Sequence, residues 1–193
     1  MDASHSPAEQ RLISSRLALR RFEPTDGPAL HAYLSRPEAV EFEPYSVLGP
    51  AEATQWAADR ATDPAFWAIC LRRTGALIGN LYLARLAPPE WQTWELGYVL
   101  HPDHWGRGYA SEAASRLLDE CFGAWEAHRV TASCDVANAA SWRLLERIGF
   151  RREGHSVASS SFHQDAGGAP IWKDAYHYAV LDREWREGEH RSR

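Results

Sequence analysis

The chain has 193 residues, 45% apolar and 24% charged, with a formal charge of −5 at pH 7. That is enough chain for one domain with a true core, in the proportions of a soluble globular protein. The negative charge argues against a general nucleic-acid binder. The chain also has no apolar run of about 18 residues to span a membrane, and its sparse cysteines, Cys70, Cys121 and Cys134, suggest reduced thiols, a cytoplasmic address and no metal.

Met1–Gln10 is polar, lacks the apolar stretch of a signal peptide and is expected to be a loose tail. Arg16–Phe22 alternates as a first strand. Pro24-Thr25-Asp26 opens a helix to about Ser35, with Leu30, Tyr33 and Leu34 inward and Arg36-Pro37 ending it. Residues 41–48 read as irregular, and Pro50 suits the first turn of a helix over 51–61. Strands at 66–72 and 76–86 meet at a tight turn, Thr74-Gly75. Trp94–Leu100 has the β-branched and aromatic content of a strand, and Pro102 stops it. Apolar residues at Ala110, Ala113, Ala114, Leu117, Leu118, Cys121, Phe122 and Trp125 then line one face of a helix over 109–124. A strand at 128–134, a helix at 138–148 closed by Gly149, and a strand from Phe150 to Gly154 follow. Residues 156–170 hold four serines and two glycines without apolar period, which predicts a long loop. Ile171–Leu181 is the last strand, and 186–193 a polar tail. Hairpins mixed with helical crossovers predict an α/β (α+β) fold: one domain over 1–193, a central mixed sheet with helices on both faces.

The segment His104-Trp105-Gly106-Arg107-Gly108-Tyr109-Ala110 stands where a strand hands over to a helix. Glycine lets backbone approach a ligand, and a helix start offers unpaired N–H groups and the positive end of its dipole. Such a turn is an anion site, most simply for a phosphate or pyrophosphate. A dinucleotide-binding turn has the same ingredients, but G-x-G-x-x-G fails because Ser111 sits three past Gly108.

The turn, continued by Ser111-Glu112-Ala113, resembles the fingerprint Q/R-x-x-G-x-G/A of the GNAT superfamily of acetyl-CoA-dependent N-acetyltransferases. Trp105 in the first place is similar to the ribosomal-protein acetyltransferase branch, the RimJ/RimL type, which commonly reads W-G-x-G-Y-A. A second segment agrees: Asn138 and Ser141, then Gly149-Phe150, keep that branch's N-x-x-S-x-x-x-x-x-x-x-G-F spacing. The resemblance implies a mostly antiparallel sheet splayed in the middle, with the first helices arching over an acceptor cleft. It implies acetyl-CoA as co-substrate, its pantetheine arm along Tyr98, Val99 and Leu100. Its diphosphate would lie on Trp105, Gly106, Arg107, Gly108, Tyr109, Ala110 and Ser111, with Arg107 adding charge. Asn138 would hydrogen-bond the cofactor's amide arm, cap its own helix, or both. Ser141 would hydrogen-bond the departing thiolate, or only its own helix.

Acetyl transfer to an amine also needs a proton acceptor and a donor for the oxyanion, the latter a backbone N–H near Val99 or Leu100. At pH 7 a neutral amine costs ~1.4 kcal/mol for an α-amine and ~4.6 kcal/mol for lysine, so an α-amine needs only a modest base. Glu95, on the strand that feeds the turn, is the first candidate. His101, Asp103 and Glu43 rank behind it, and Cys134 reads as an ordinary buried thiol. The expected acceptor is a protein N-terminal α-amine, on a monomer or homodimer. A small amine (polyamine, amino acid or antibiotic), another acyl-CoA donor, and a non-catalytic acyl-CoA sensor are the alternatives. A closed cavity lined by Trp56, Trp67, Trp91 and Trp94 would favour a small amine; an open acidic cleft would favour a peptide.

Overall fold

A computed structural model describes residues 11–188. Eight strands form one sheet in the order β1-β2-β3-β4-β5-β6-β8-β7. They are β1 (Leu12–Ile13), β2 (Leu17–Arg20), β3 (Phe66–Leu71), β4 (Leu77–Arg85), β5 (Thr93–Leu100), β6 (Arg129–Asp135), β7 (Arg151–Gln164) and β8 (Pro170–Leu181). Every pairing is antiparallel except β5 with β6. The helices are α1 (Gly27–Leu34), α2 (Pro37–Val40), α3 (Pro50–Thr62), α4 (Tyr109–Gly123), α5 (Ala139–Arg147) and α6 (Asp182–Gly188).

The alternation of β5 divides the core. Trp94, Leu96, Tyr98 and Leu100 pack into the cluster that holds the α4 stripe, Ala113, Ala114, Leu117, Leu118, Cys121 and Phe122. Val99 points to the other face, where Leu30, Tyr33 and Leu34 of α1 and Ala53 and Ala57 of α3 are buried. Each large apolar side chain so buried contributes about 1.5–3 kcal/mol, so both helical layers are pinned to the strand that ends at the glycine turn. Gly79, paired with Leu100, lets β4 and β5 close up: a Cβ there would lie 2.4 Å from the Val99 carbonyl oxygen.

Two expectations need correction. Residues 156–170 are not a long loop: β7 runs to Gln164, β8 starts at Pro170, and only 165–169 turn. Asp165 Oδ1 closes that turn by accepting from the Gly167 and Ala169 N–H groups at 2.8 and 3.0 Å. Polar cross-strand bonds hold the hairpin, among them Ser156 Oγ to His177 Nε2 at 2.8 Å and Asp174 accepting from the Ala158 N–H at 2.9 Å. The tail assigned to 186–193 begins inside α6, which is anchored by Trp185 stacking on Phe122 at 5.9 Å and donating to Asp119 at 2.9 Å. The rest of that tail, 189–193, and the tail assigned to Met1–Gln10 lie outside the described residues.

Candidate active site

β5 and β6 pair only over Thr93, Trp94 and Glu95 with Arg129, Val130 and Thr131. Beyond Glu95 they part. β5 stays bonded to β4 through Leu100, and β6 to β8 through Asp135. The edges of Leu96–Leu100 and Ala132–Asp135 that face each other are therefore free of ladder bonds. Backbone N–H and C=O groups left open in this way can take a peptide-like arm.

The gap runs into a cleft of about 710 Å3, lined by Tyr98, Val99 and Leu100 on one side and by the glycine turn and the first turns of α4 and α5 on the other. Gly106 and Gly108 sit at φ +70° and +76°, in the left-handed region where glycine is unstrained. Gly108 caps α4, whose first bond runs from the Glu112 N–H to the Gly108 carbonyl at 3.0 Å. The N–H groups of Tyr109, Ala110 and Ser111 thus have no partner within the helix. A Cβ at Gly106 would meet nothing within 4 Å. Arg16 steadies the turn from behind, donating to the Arg107 carbonyl at 2.9 Å and to Glu112 at 2.6 Å. The Trp105 indole donates to the Leu100 carbonyl at 2.9 Å, fixing the turn to the end of β5.

Arg107 is not among the residues lining this cleft. It lines a neighbouring hollow with Arg16, Arg72 and Arg73. The cations on the cleft wall are Arg143 and Arg147, one turn apart on α5, and Arg147 donates to Ser111 Oγ at 3.2 Å. The sequence reading missed both, because their proximity to the turn follows from how α5 packs against α4.

Asn138 caps α5, its Oδ1 accepting from the Ser141 N–H at 3.1 Å. Ser141 Oγ lies 2.9 Å from the Tyr98 hydroxyl, which also reaches the Ser141 carbonyl at 3.2 Å. Ser141, Asn138 and Tyr98 line both the main cleft and a second hollow of about 450 Å3 that holds Cys134. Burial raises the Cys134 thiol pKa, so it stays protonated near neutrality.

Glu43 occupies the junction. It lines the main cleft, the second hollow and a third of about 460 Å3 between α3, β4 and β5. Burial pushes its carboxyl up to about 7, against the opposing pull of a Tyr45 hydrogen bond and the Arg60 charge. A carboxyl so tuned can take a proton at neutral pH. Glu95 lies where β5 and β6 still pair, opposite Ala84 and Thr131, and is not among the residues lining these cavities. His101 and Asp103 flank an exposed turn in which Asp103 faces Arg36 at 3.7 Å. Of the four tryptophans expected to enclose a small amine, only Trp56 lines the third hollow. Trp67 is buried in the core, Trp91 is 66% exposed, and Trp94 packs on Trp125 at 5.2 Å.

No group of three or more metal-ligating side chains exists among the described residues, and none of their helices is long and apolar enough to cross a membrane. A sheet that parts above a helix start with open N–H groups makes a cleft for an extended, amide-bearing arm that ends in phosphate. The chain belongs to the GNAT acetyltransferases: residues 16–151 match the family model described as an acetyltransferase (GNAT) domain. It is 31% identical over 175 residues to the uncharacterized N-acetyltransferase YnaD of Bacillus subtilis (strain 168), covering 90% of this chain and 98% of that protein. Among solved structures it is similar to a GNAT-family acetyltransferase from Bacillus anthracis, with 28% identity, a TM-score of 0.80, and coverage of 90% and 99% of the two chains. The family uses acetyl-CoA as co-substrate.

Proposed function

We propose that the protein transfers an acetyl group from acetyl-CoA to a primary amine, with a protein N-terminal α-amine as the acceptor, in a single cytoplasmic catalytic domain. The observation that carries this reading is the parting of β5 from β6 after Glu95, which leaves a bonding edge leading straight to the start of α4. The residues present fit the co-substrate. The N–H groups of Gly106 to Ser111 face the diphosphate, and Arg143 and Arg147 add charge. The open edge of Tyr98, Val99 and Leu100 takes the amide arm, with Asn138 beside it. Bound there, acetyl-CoA supplies an activated acyl carbonyl with a thiolate leaving group.

The chain's own residues do the rest. Glu43 accepts the amine proton, replacing Glu95 as the favoured base because it stands at the junction with a carboxyl pKa near that of the task. Ser141 Oγ hydrogen-bonds the departing sulfur, with Tyr98 holding the serine in place. Of the two expected donors, Leu100 has its backbone on the edge of β5 away from β4, and its N–H meets the developing oxyanion; the Val99 backbone faces β4, its carbonyl against Gly79.

Relatives point both ways on the acceptor. YdaF of Bacillus subtilis (strain 168), whose name is putative ribosomal N-acetyltransferase, is 31% identical over 115 residues, covering 60% of this chain and 58% of that protein. A spermidine N(1)-acetyltransferase from Vibrio cholerae is 33% identical over 63 residues, covering 33% of this chain. The RimJ/RimL resemblance at Trp105 to Ala110 and at Asn138 to Phe150 favours the α-amine. Measuring thiol release from acetyl-CoA with N-terminal peptides beside small amines tests the reading. Release with peptides supports it; release with polyamines alone refutes the acceptor, and none with any amine refutes the enzyme.

A further inference from the structure

Resting on the reading above, we infer that Arg60 is the specificity-determining residue for the acceptor. Its guanidinium takes an oxygen on the carbon next to the reacting amine. The cleft then accepts α-amino acyl units, whether free or at a peptide end, and rejects polyamines.

Arg60 is 5% exposed, on α3. Among the described residues no carboxylate forms an ion pair with it. Its hydrogen-bond partners are neutral: Nη1 donates to Asn80 Oδ1 at 3.1 Å, and the Tyr33 phenol, which donates to that same oxygen at 2.8 Å, lies beside it. The cation is otherwise packed on rings, 4.5 Å from the centroid of Phe66, 5.3 Å from Trp56 and 5.6 Å from Phe22. A guanidinium carries five N–H donors, and a buried cation without an anion is strongly unfavourable. The residue lines the third hollow, a space that Glu43 also lines, and no Arg60 nitrogen is both buried and without a partner.

The two charges read the two ends of one chemical unit. Glu43, close enough for the Arg60 charge to act on it, meets the amine; Arg60 meets the oxygen on the adjacent carbon. Asp59, on the rim and hydrogen-bonded by Gln55 at 2.8 Å, adds a negative mouth that draws amines in. A polyamine would satisfy Glu43 and Asp59 but would set its next ammonium against a buried guanidinium, where like charges repel most. Trp56, Phe66 and Tyr82 offer an apolar wall for the acceptor's first side chain.

The test is thiol release by the full chain with four acceptors: phenylalanine amide, free phenylalanine, phenethylamine and spermidine. The first three share a ring and an amine and differ in the oxygen. Wild type should turn over phenylalanine amide or phenylalanine at least tenfold better, in kcat/KM, than phenethylamine or spermidine. Whichever of the two oxygen-bearing acceptors is better identifies a peptide carbonyl or a free carboxylate as the oxygen. Assayed well above the Glu43 carboxyl's value of about 7, where Glu43 is ionised with or without the Arg60 charge, Arg60→Met should lower kcat/KM for that acceptor about 30-fold, chiefly through KM, and change phenethylamine less than twofold; Arg60→Lys should recover part of the loss. Equal losses on both acceptors, or spermidine as the best wild-type acceptor, would overturn the inference. The wild-type comparison stands even if the variants fold poorly. No release with any amine would instead defeat the enzymatic reading itself.

Discussion

The Tyr98 hydroxyl lies 2.9 Å from Ser141 Oγ and 3.2 Å from the Ser141 carbonyl oxygen, tying β5 to the first turn of α5 next to the point where the sheet has parted. Burial raises the Tyr98 pKa, so the phenol stays a donor. Either hydroxyl can donate in the Oγ contact, and with the phenol as donor the serine keeps its own proton for sulfur. Ser141→Ala should lower kcat about 10- to 100-fold while the affinity for acetyl-CoA stays within about twofold, the pattern of a contact made mainly in the transition state. Tyr98→Phe should cost less, because it frees the serine without deleting it. Single-turnover thiol release beside equilibrium binding separates the two effects.

Glu43 makes a pH prediction with a sign on two axes. The ionised carboxylate is the base, so kcat/KM should rise about tenfold per pH unit below about 7 and level above it. Glu43→Gln should flatten that limb and leave about 1% of the plateau rate, whereas Glu95→Gln should leave the limb in place. A carboxyl raised from 4.5 to about 7 by folding stabilises the fold fully below 4.5, and loses that contribution as the pH rises through about 7. Glu43→Gln should therefore raise Tm relative to wild type at pH 8 and not at pH 4. A variant slower and more stable at pH 8 fits a functional carboxylate; one that is slower and less stable there would count against it.

Gly79 sets how closely β4 and β5 approach behind the cleft. A Cβ there would stand 2.4 Å from the Val99 carbonyl oxygen and 2.9 Å from the Leu100 Cα. Backbone cannot yield cheaply, so Gly79→Ala should destabilise by about 1–3 kcal/mol and displace the end of β5 that faces the gap. Chemical denaturation and the KM for acetyl-CoA should both worsen. Gly75, whose added Cβ meets nothing within 4 Å, is the control for a glycine that supports only its own turn.

Much of this architecture is legible in the sequence where a buried face imposes a period. The α4 stripe, the strand before it and the Asn138–Ser141 cap all fall where apolar spacing and turn chemistry put them, within a residue or two. β7 was read only as far as Gly154; its continuation to Gln164 escaped because its residues are mostly exposed on both faces, so no apolar alternation marks it. Its signal was the turn instead: Asp165 followed by Gly167 and Gly168, the latter at φ +82°. α6 escaped because one ring, Trp185, anchors an otherwise polar helix. In the cleft, the residues on the turn and at the start of α5 were readable from motif spacing. Glu43 stood only as a candidate base behind Glu95, and Arg60, Arg143 and Arg147 carried no signal, since what brings all four to the cleft is the packing of separate helices and an irregular segment, which leaves no mark on local sequence.

Acetyl transfer here depends first on the backbone amides at the start of α4 holding the diphosphate of an acyl-CoA. Calorimetric titration of acetyl-CoA into the wild-type protein and Gly108→Val tests it most directly. At φ +76° a β-branched residue is strained, and its side chain would press on Arg16, whose Nη2 lies 3.5 Å from the Cβ position; relieving either shifts the turn and the N–H groups at the helix start that meet the phosphates. We predict a saturating one-to-one heat for wild type and at least tenfold weaker binding for the variant, with thermal unfolding confirming that the variant is folded. No heat with wild type, or equal affinity in a folded Gly108→Val, would contradict the account.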